Sequence, residues 1–174
     1  MTVLTNTPNN LNTLSDITFG FSVKKAPHVN FFAQSVSIPE IILNPTNISN
    51  QFVKLPITGD SIIFGDLPVT FKVDEDLQNY MEIFNWIMGM GFPNDNSQYL
   101  NIENKSLISG QGIYSDISVV LYTGIKNPNV EFIFKDAWPF KISEMKLYTD
   151  KNDVRYVSVE VLFKYTLFTV QRII

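Results

Sequence analysis

"VTFKVDEDLQNYMEIFNWIMGMGFP", residues 69–93, changes its hydrophobic period half-way. Val69, Phe71 and Val73 alternate with polar neighbours, the pattern of a half-buried strand. From Leu77 the apolar residues Leu77, Tyr80, Met81, Phe84, Ile87 and Met88 recur at helical spacing, a stripe expected to face the core. Asp74, Glu75 and Asp76 lie between the two patterns. A cation cup needs further ligands at loop spacing and a glycine where the loop bends, and neither follows. Asp74 instead reads as the helix N-cap, with the next acids offsetting the helix dipole. The predicted helix covers about 75–88, stopped by Gly89 and Gly91 and barred from continuing by Pro93.

Outward from this switch the chain reads as strands. "ITFGFSVKK" at 17–25 puts Ile17, Phe19, Phe21 and Val23 on one face. "NFFAQSVSIPEIIL" at 30–43 continues extended, with Pro39 at a bend or edge. "NPTNISNQ" is turn-rich and "FVKLPI" returns with Val53, Leu55 and Ile57 alternating. Residues 31–58 therefore predict a long hairpin with its tip near Pro45–Asn50. "TGDSIIFGDL" then supplies two Gly-Asp turns. Residues 92–113 form a polar stretch, longer than most structureless connections and expected to order against a partner.

Beyond it come "DISVVLYT", "VEFIFKDAWPFKI", "EMKLYT" and, after the turn "DKND", "VRYVSVEVLFKYTLFTV". The last alternates from Val157 to Leu167, and from Val154 to Phe168 would span roughly 50 Å at about 3.3 Å per residue. Such a strand either outruns its domain or bends across two sheets. The fold class is mainly β: an antiparallel sandwich or open barrel with one flanking helix. Residues 1–16, rich in Asn and Thr, predict a flexible polar arm ahead of one domain over 17–174.

Composition narrows the function. Thirteen basic against 17 acidic residues give a net charge of −4, and the Lys and Arg are scattered, which argues against tight binding of duplex nucleic acid. There is no cysteine, so no disulfide, thiolate nucleophile or thiol metal site, which fits a cytoplasmic product. The first sixteen residues lack the basic and apolar regions of a secretory leader, and no window nears about 18 continuous apolar residues, so no membrane insertion is expected. His28, the single histidine, reads as a loop residue beside Pro27; no Gly-x-Ser-x-Gly elbow or phosphate loop is present. No catalytic residue, metal site or cofactor is expected. A carbohydrate-binding or hydrolytic β-sandwich would have only Glu131 and Glu160 as mid-strand acids.

In order, "FFAQSVSIPEI", "VKLPITGDSIIFGDLPVTFKVDED", "NYMEIFNWI" and "FIFKDAWPFKISEMKLYTDKNDVRYVSVEVLFKY" resemble the tail tube proteins of contractile-tailed bacteriophages, and more distantly those of pyocins and type VI secretion systems. The resemblance covers about residues 17–168. It implies a non-enzymatic virion structural protein, assembled in the host bacterial cytoplasm. Its homo-hexameric rings stack into the inner tube of a contractile tail, inside a sheath or on a baseplate, and phage DNA passes only in transit. The same fold serves single rings, the tube initiator or cap in the baseplate and the terminator at the neck. The polar arm and the ending "TVQRII" depart from a minimal tube subunit, which leaves the position along the tail open. For stacking, the hairpin tip, Asn44, Pro45, Ile48 and Phe52, is the expected contact. For burial against a neighbour, Phe168, Val170, Ile173 and Ile174 are the candidates, since an exposed apolar end is costly in water.

Overall fold

The computed structural model describes residues 13–14, 18–91, 97, 100, 112–149 and 155–173. Its longest described strand, β9 (Pro128–Ile142), organises the rest. The first part of β9 pairs antiparallel with β8 (Ser115–Tyr122), which in turn pairs with β1 (Phe19–Val23). On its other side β9 carries β10 (Ser158–Lys164) and then β11 (Leu167–Arg172). β10 continues outward to β7 (Leu67–Lys72) and β2 (Ala33–Val36). The result is two half-sheets, β1-β8-β9-β11 and β9-β10-β7-β2, sharing β9.

The corner lies at Asp136. Its φ of 54° is left-handed, and its N–H donates to Asp116 Oδ1 at 3.1 Å beside a register shift between β8 and β9. Such a bulge bends a strand and raises its twist. Both halves then close on one core. Phe21, Val23, Ile117, Val119 and Phe134 come from the first half, and Val69, Phe71, Val159, Val161 and Phe163 from the second.

The terminal strand takes the second of its two predicted forms. It breaks at Tyr165–Thr166 opposite the corner and so serves both half-sheets. The break also reverses the phase. Val159, Val161 and Phe163 face the core, but beyond it Phe168 does, while Leu167 is exposed. One extra residue moves every following side chain to the opposite face.

α2 (Gln78–Gly91) starts three residues later than the spacing predicts. Leu77, at φ 58°, ends a turn whose N–H donates to the Asp74 carbonyl at 3.0 Å, so the three acids precede the helix rather than fill its first turn. Its core stripe is also different. Asn79, Ile83, Trp86 and Gly89 are buried, Tyr80 and Ile87 are partly so, and Leu77, Met81 and Phe84 point to solvent. Apolar residues run almost all the way round this helix, so periodicity alone does not fix its phase. A second, short helix, α1 (Pro27–Phe32), stands where the sequence reads extended, and buries Val29.

Residues 41–64 form the long hairpin, with arms β3 (Ile41–Leu43) and β4 (Thr46–Ser49) against β5 (Lys54–Ile57) and β6 (Ile62–Phe64). The return arm runs past the expected end at residue 58 to Phe64, and the tip is the turn in which Asn50 N–H donates to the Val53 carbonyl at 3.1 Å. Most of the predicted loop 92–113, nearly all of the predicted arm 1–16 and the turn 150–153 lie outside the described residues.

Candidate assembly surfaces

The expected stacking residues are spread along the hairpin rather than gathered at its tip. Asn44 donates its N–H to the Ser61 carbonyl at 3.0 Å, and Pro45 follows at a kink where the return arm holds two extra residues. Gly59 is required there: a Cβ on it would lie 1.8 Å from the Asn44 carbonyl oxygen. Ile48 lies in β4, and Phe52, 88% exposed, is the tip itself. Ile41, Leu43, Leu55, Ile57 and Ile62 are exposed as well. A two-stranded ribbon is marginal alone in water, and one this apolar calls for cover on its faces.

The four C-terminal candidates separate. Phe168 is partly buried in its own chain, with ring centroids 5.3 Å from Phe134, 5.5 Å from Phe64 and 6.0 Å from Tyr165. Val170 is 56% exposed and Ile173 37%. Ile174 lies outside the described residues.

Backbone edges matter more than these side chains. Ile173 N–H donates to the Asn129 carbonyl at 2.9 Å across the β9–β11 ladder. Successive residues of a strand alternate direction, so the N–H and C=O groups of Phe168, Val170 and Arg172 point away from β9. Tyr122 N–H donates to the Thr18 carbonyl at 3.3 Å, so in β1 it is Phe19, Phe21 and Val23 that point outward. Among the described residues no strand pairs with either outer edge. Between them, the face of β1-β8-β9-β11 away from the core carries Gly20 and Ser22, Ser118 and Val120, Glu131 and Ile133, Thr169 and Gln171 in register, with the Tyr122 ring lying over Gly20. Gln171 Nε2 donates to Glu131 Oε2 at 2.9 Å across this face.

The acidic turn serves structure, through a residue that sequence reasoning passes over. Asp74 Oδ1 accepts from the neighbouring Glu75 N–H at 2.9 Å and from no N–H of the helix. The turn is clamped by Asn79, fully buried, whose Nδ2 donates to the Lys72 carbonyl at 2.8 Å and whose Oδ1 accepts from Asp74 N–H at 3.2 Å. His28 belongs to α1 rather than a loop. Glu82 accepts from its N–H at 3.1 Å and contacts its Nδ1 at 2.5 Å, which raises the imidazole pKa above its ordinary value. Lys25 donates to the carbonyls of Gly112 (2.9 Å) and Ile113 (3.2 Å) over the Trp86 ring, and burial pulls it down to about 8. Burial, then the Asp66 charge, pushes Tyr165 up to about 12; its hydroxyl donates to the Gly65 carbonyl at 2.9 Å.

None of these groups converges on a reaction centre. Glu131 pairs with Gln171, whereas Glu160 pairs with Thr70 and bonds Ser143, beyond the corner and roughly 40 Å further along the chain path of β9 at about 3.3 Å per residue, so the two do not make a glycosidase pair. Among the described residues no cluster of His, Asp or Glu could hold a metal, and no helix is long and apolar enough to cross a membrane.

Residues 3–171 match the family model described as phage tail tube protein. The chain belongs to that family. Solved structures share its fold at low identity. A tube-and-sheath complex of an extracellular contractile injection system, PVC in its extended state, superposes with a TM-score of 0.64 at 14% identity, over 94% of each chain. The tube-terminating cap of the anti-feeding prophage gives 0.61 at 12%, over 99% of this chain and 100% of that one. The six-fold symmetrised baseplate of the same prophage gives 0.55 at 13%, over 88% and 90%. No curated protein matches the chain. The protein is thus a structural, tube-type member of the tail tube family.

Proposed function

We propose that the protein forms hexameric rings that stack into the inner tube of a contractile phage tail. The observation that carries this reading is the pair of open edges, on β1 and β11, flanking a sheet face of mostly small or polar side chains. Open edges are aggregation hazards unless another chain pairs with them. A head-to-tail contact, β11 of one copy beside β1 of the next, satisfies both edges and closes when the rotation per copy divides a circle. Six is the symmetry named for the baseplate relative.

In such a ring the face bearing Ser22, Ser118, Glu131, Thr169 and Gln171 lines the channel. With Asp116 and Lys135 it holds two carboxylates to one ammonium per copy, and six copies at −4 carry −24 in all. A channel wall of that sign repels DNA weakly and lets it slide in transit. The apolar hairpin, projecting beyond the core, meets the adjacent ring along the axis. Sheath or baseplate proteins contact the remaining outer surface.

Electron microscopy of the purified protein at high concentration tests the reading, with Val170→Pro as the perturbation. Proline there deletes an N–H that points away from β9, so the fold should persist while ring formation is lost. Rings formed equally by the variant would overturn it. Rings that never stack would instead favour a single-ring cap or terminator.

A further inference from the structure

The open edge of β1 is not open along its whole length. Asn30, on α1, turns its amide toward the end of the strand. Its Oδ1 accepts from Val23 N–H at 2.8 Å, and its Nδ2 donates to the Val23 carbonyl at 3.2 Å. One side chain thus makes both hydrogen bonds that a neighbouring strand would make with Val23. The next outward positions, Phe21 and Phe19, have no backbone partner on that side among the described residues.

We infer that Asn30 is a register stop: it closes the β1 edge at Val23, so the β11 edge of a second copy can pair only with Phe21 and Phe19. The inference rests on the ring reading and deepens it. β11 presents three outward positions, Phe168, Val170 and Arg172, two residues apart. Three facing three would allow in-phase registers separated by two residues, about 6.6 Å of sliding. A two-residue slip keeps every side chain on its proper face, so hydrophobic patterning does not reject it. It does change the stagger of the sheet, and stagger and strand number together fix the diameter of a closed barrel. A ring that must match identical rings above and below needs one stagger. With the Asn30 amide standing where a partner residue would face Val23, registers that bring Phe168 or Val170 opposite Val23 are blocked, and the one that pairs Phe21 with Phe168 and Phe19 with Val170 keeps both free positions.

The chain has no cysteine, so paired cysteines report the register directly. Ser22→Cys would be combined with Leu167→Cys in one protein and with Thr169→Cys in another, each with Asn30 intact and with Asn30→Ala. Facing residues of neighbouring strands meet the distance a disulfide demands, and positions two residues off do not. With Asn30, the Ser22→Cys/Leu167→Cys protein should cross-link between copies at least about tenfold more than the Ser22→Cys/Thr169→Cys protein. With Asn30→Ala, cross-linking should spread over both, and micrographs should show rings of mixed diameter. Asn30→Asp keeps the acceptor for Val23 N–H and should retain most of the selectivity, which separates register from any loss of stability. An unchanged ratio and uniform rings in Asn30→Ala would overturn the register stop while leaving the ring intact. Absence of copy-to-copy cross-links in every variant, with rings visible, would overturn the β1–β11 contact itself.

Discussion

Replacing Asn79 by alanine should cost far more than replacing Asp74, although Asp74 is the residue the sequence marks as the cap. Asn79 is fully buried and makes two hydrogen bonds, to the Lys72 carbonyl at 2.8 Å and from Asp74 N–H at 3.2 Å. Alanine leaves both backbone groups without that partner where β7 gives way to α2. An unsatisfied buried group costs about 1–3 kcal/mol, so the pair should cost about 3 kcal/mol once some water enters. For a chain of this size that lowers Tm by about 6–12 °C. Asp74 contributes one exposed side-chain bond to the Glu75 N–H, so Asp74→Ala should cost under about 1 kcal/mol. Urea denaturation followed by circular dichroism, with m-values compared, gives both numbers. A larger loss for Asp74→Ala than for Asn79→Ala would refute the reasoning and restore Asp74 as the cap.

The His28–Glu82 pair gives a pH dependence of definite sign. A raised imidazole pKa means that the pair stabilises fully below the free histidine value of about 6.5, and that this is lost as pH rises through the raised value. The single imidazole in the ¹H NMR spectrum should titrate above that value and return toward it in Glu82→Gln. Phe163→Ala, at a fully buried site with its ring centroid 6.2 Å from that of Trp86, should destabilise by about 3–5 kcal/mol and shift tryptophan emission to the red. Replacing residues 46–57 by a short turn, with the Asn44–Ser61 bond kept, should leave Tm nearly unchanged and yield rings that do not stack. Tubes of normal length would contradict the stacking role.

The strands were legible because alternation survives in a sequence whenever one face is buried. Phe19-x-Phe21-x-Val23 and Val157 through Phe163 needed nothing more. What escaped depended on position in three dimensions. The break at Tyr165–Thr166 is invisible because Tyr165 and Leu167 carry the alternation straight through it, while the corner that forces it is at Asp136, on another strand. α1 has only six residues, too few to show a period. The phase of α2 is hidden because Ile83 and Trp86 lie opposite Met81 and Phe84 on a helix apolar nearly all round. Of the assembly surfaces, the hairpin's apolar character could be read in advance. The open edges could not, because an edge is defined by which strands fail to meet it. Asn30 and Asn79 follow the same rule: each acts on backbone seven residues away, with no motif to mark it.

The account stands on copies joined edge to edge. A cryo-electron microscopy map of assembled particles tests this most directly. The account predicts a closed wall with four strands from each of six copies, β11 hydrogen-bonded beside β1 of its neighbour and Glu131 turned into the channel. Particles whose copies meet only through hairpins and loops, leaving β1 and β11 unpaired, would contradict it.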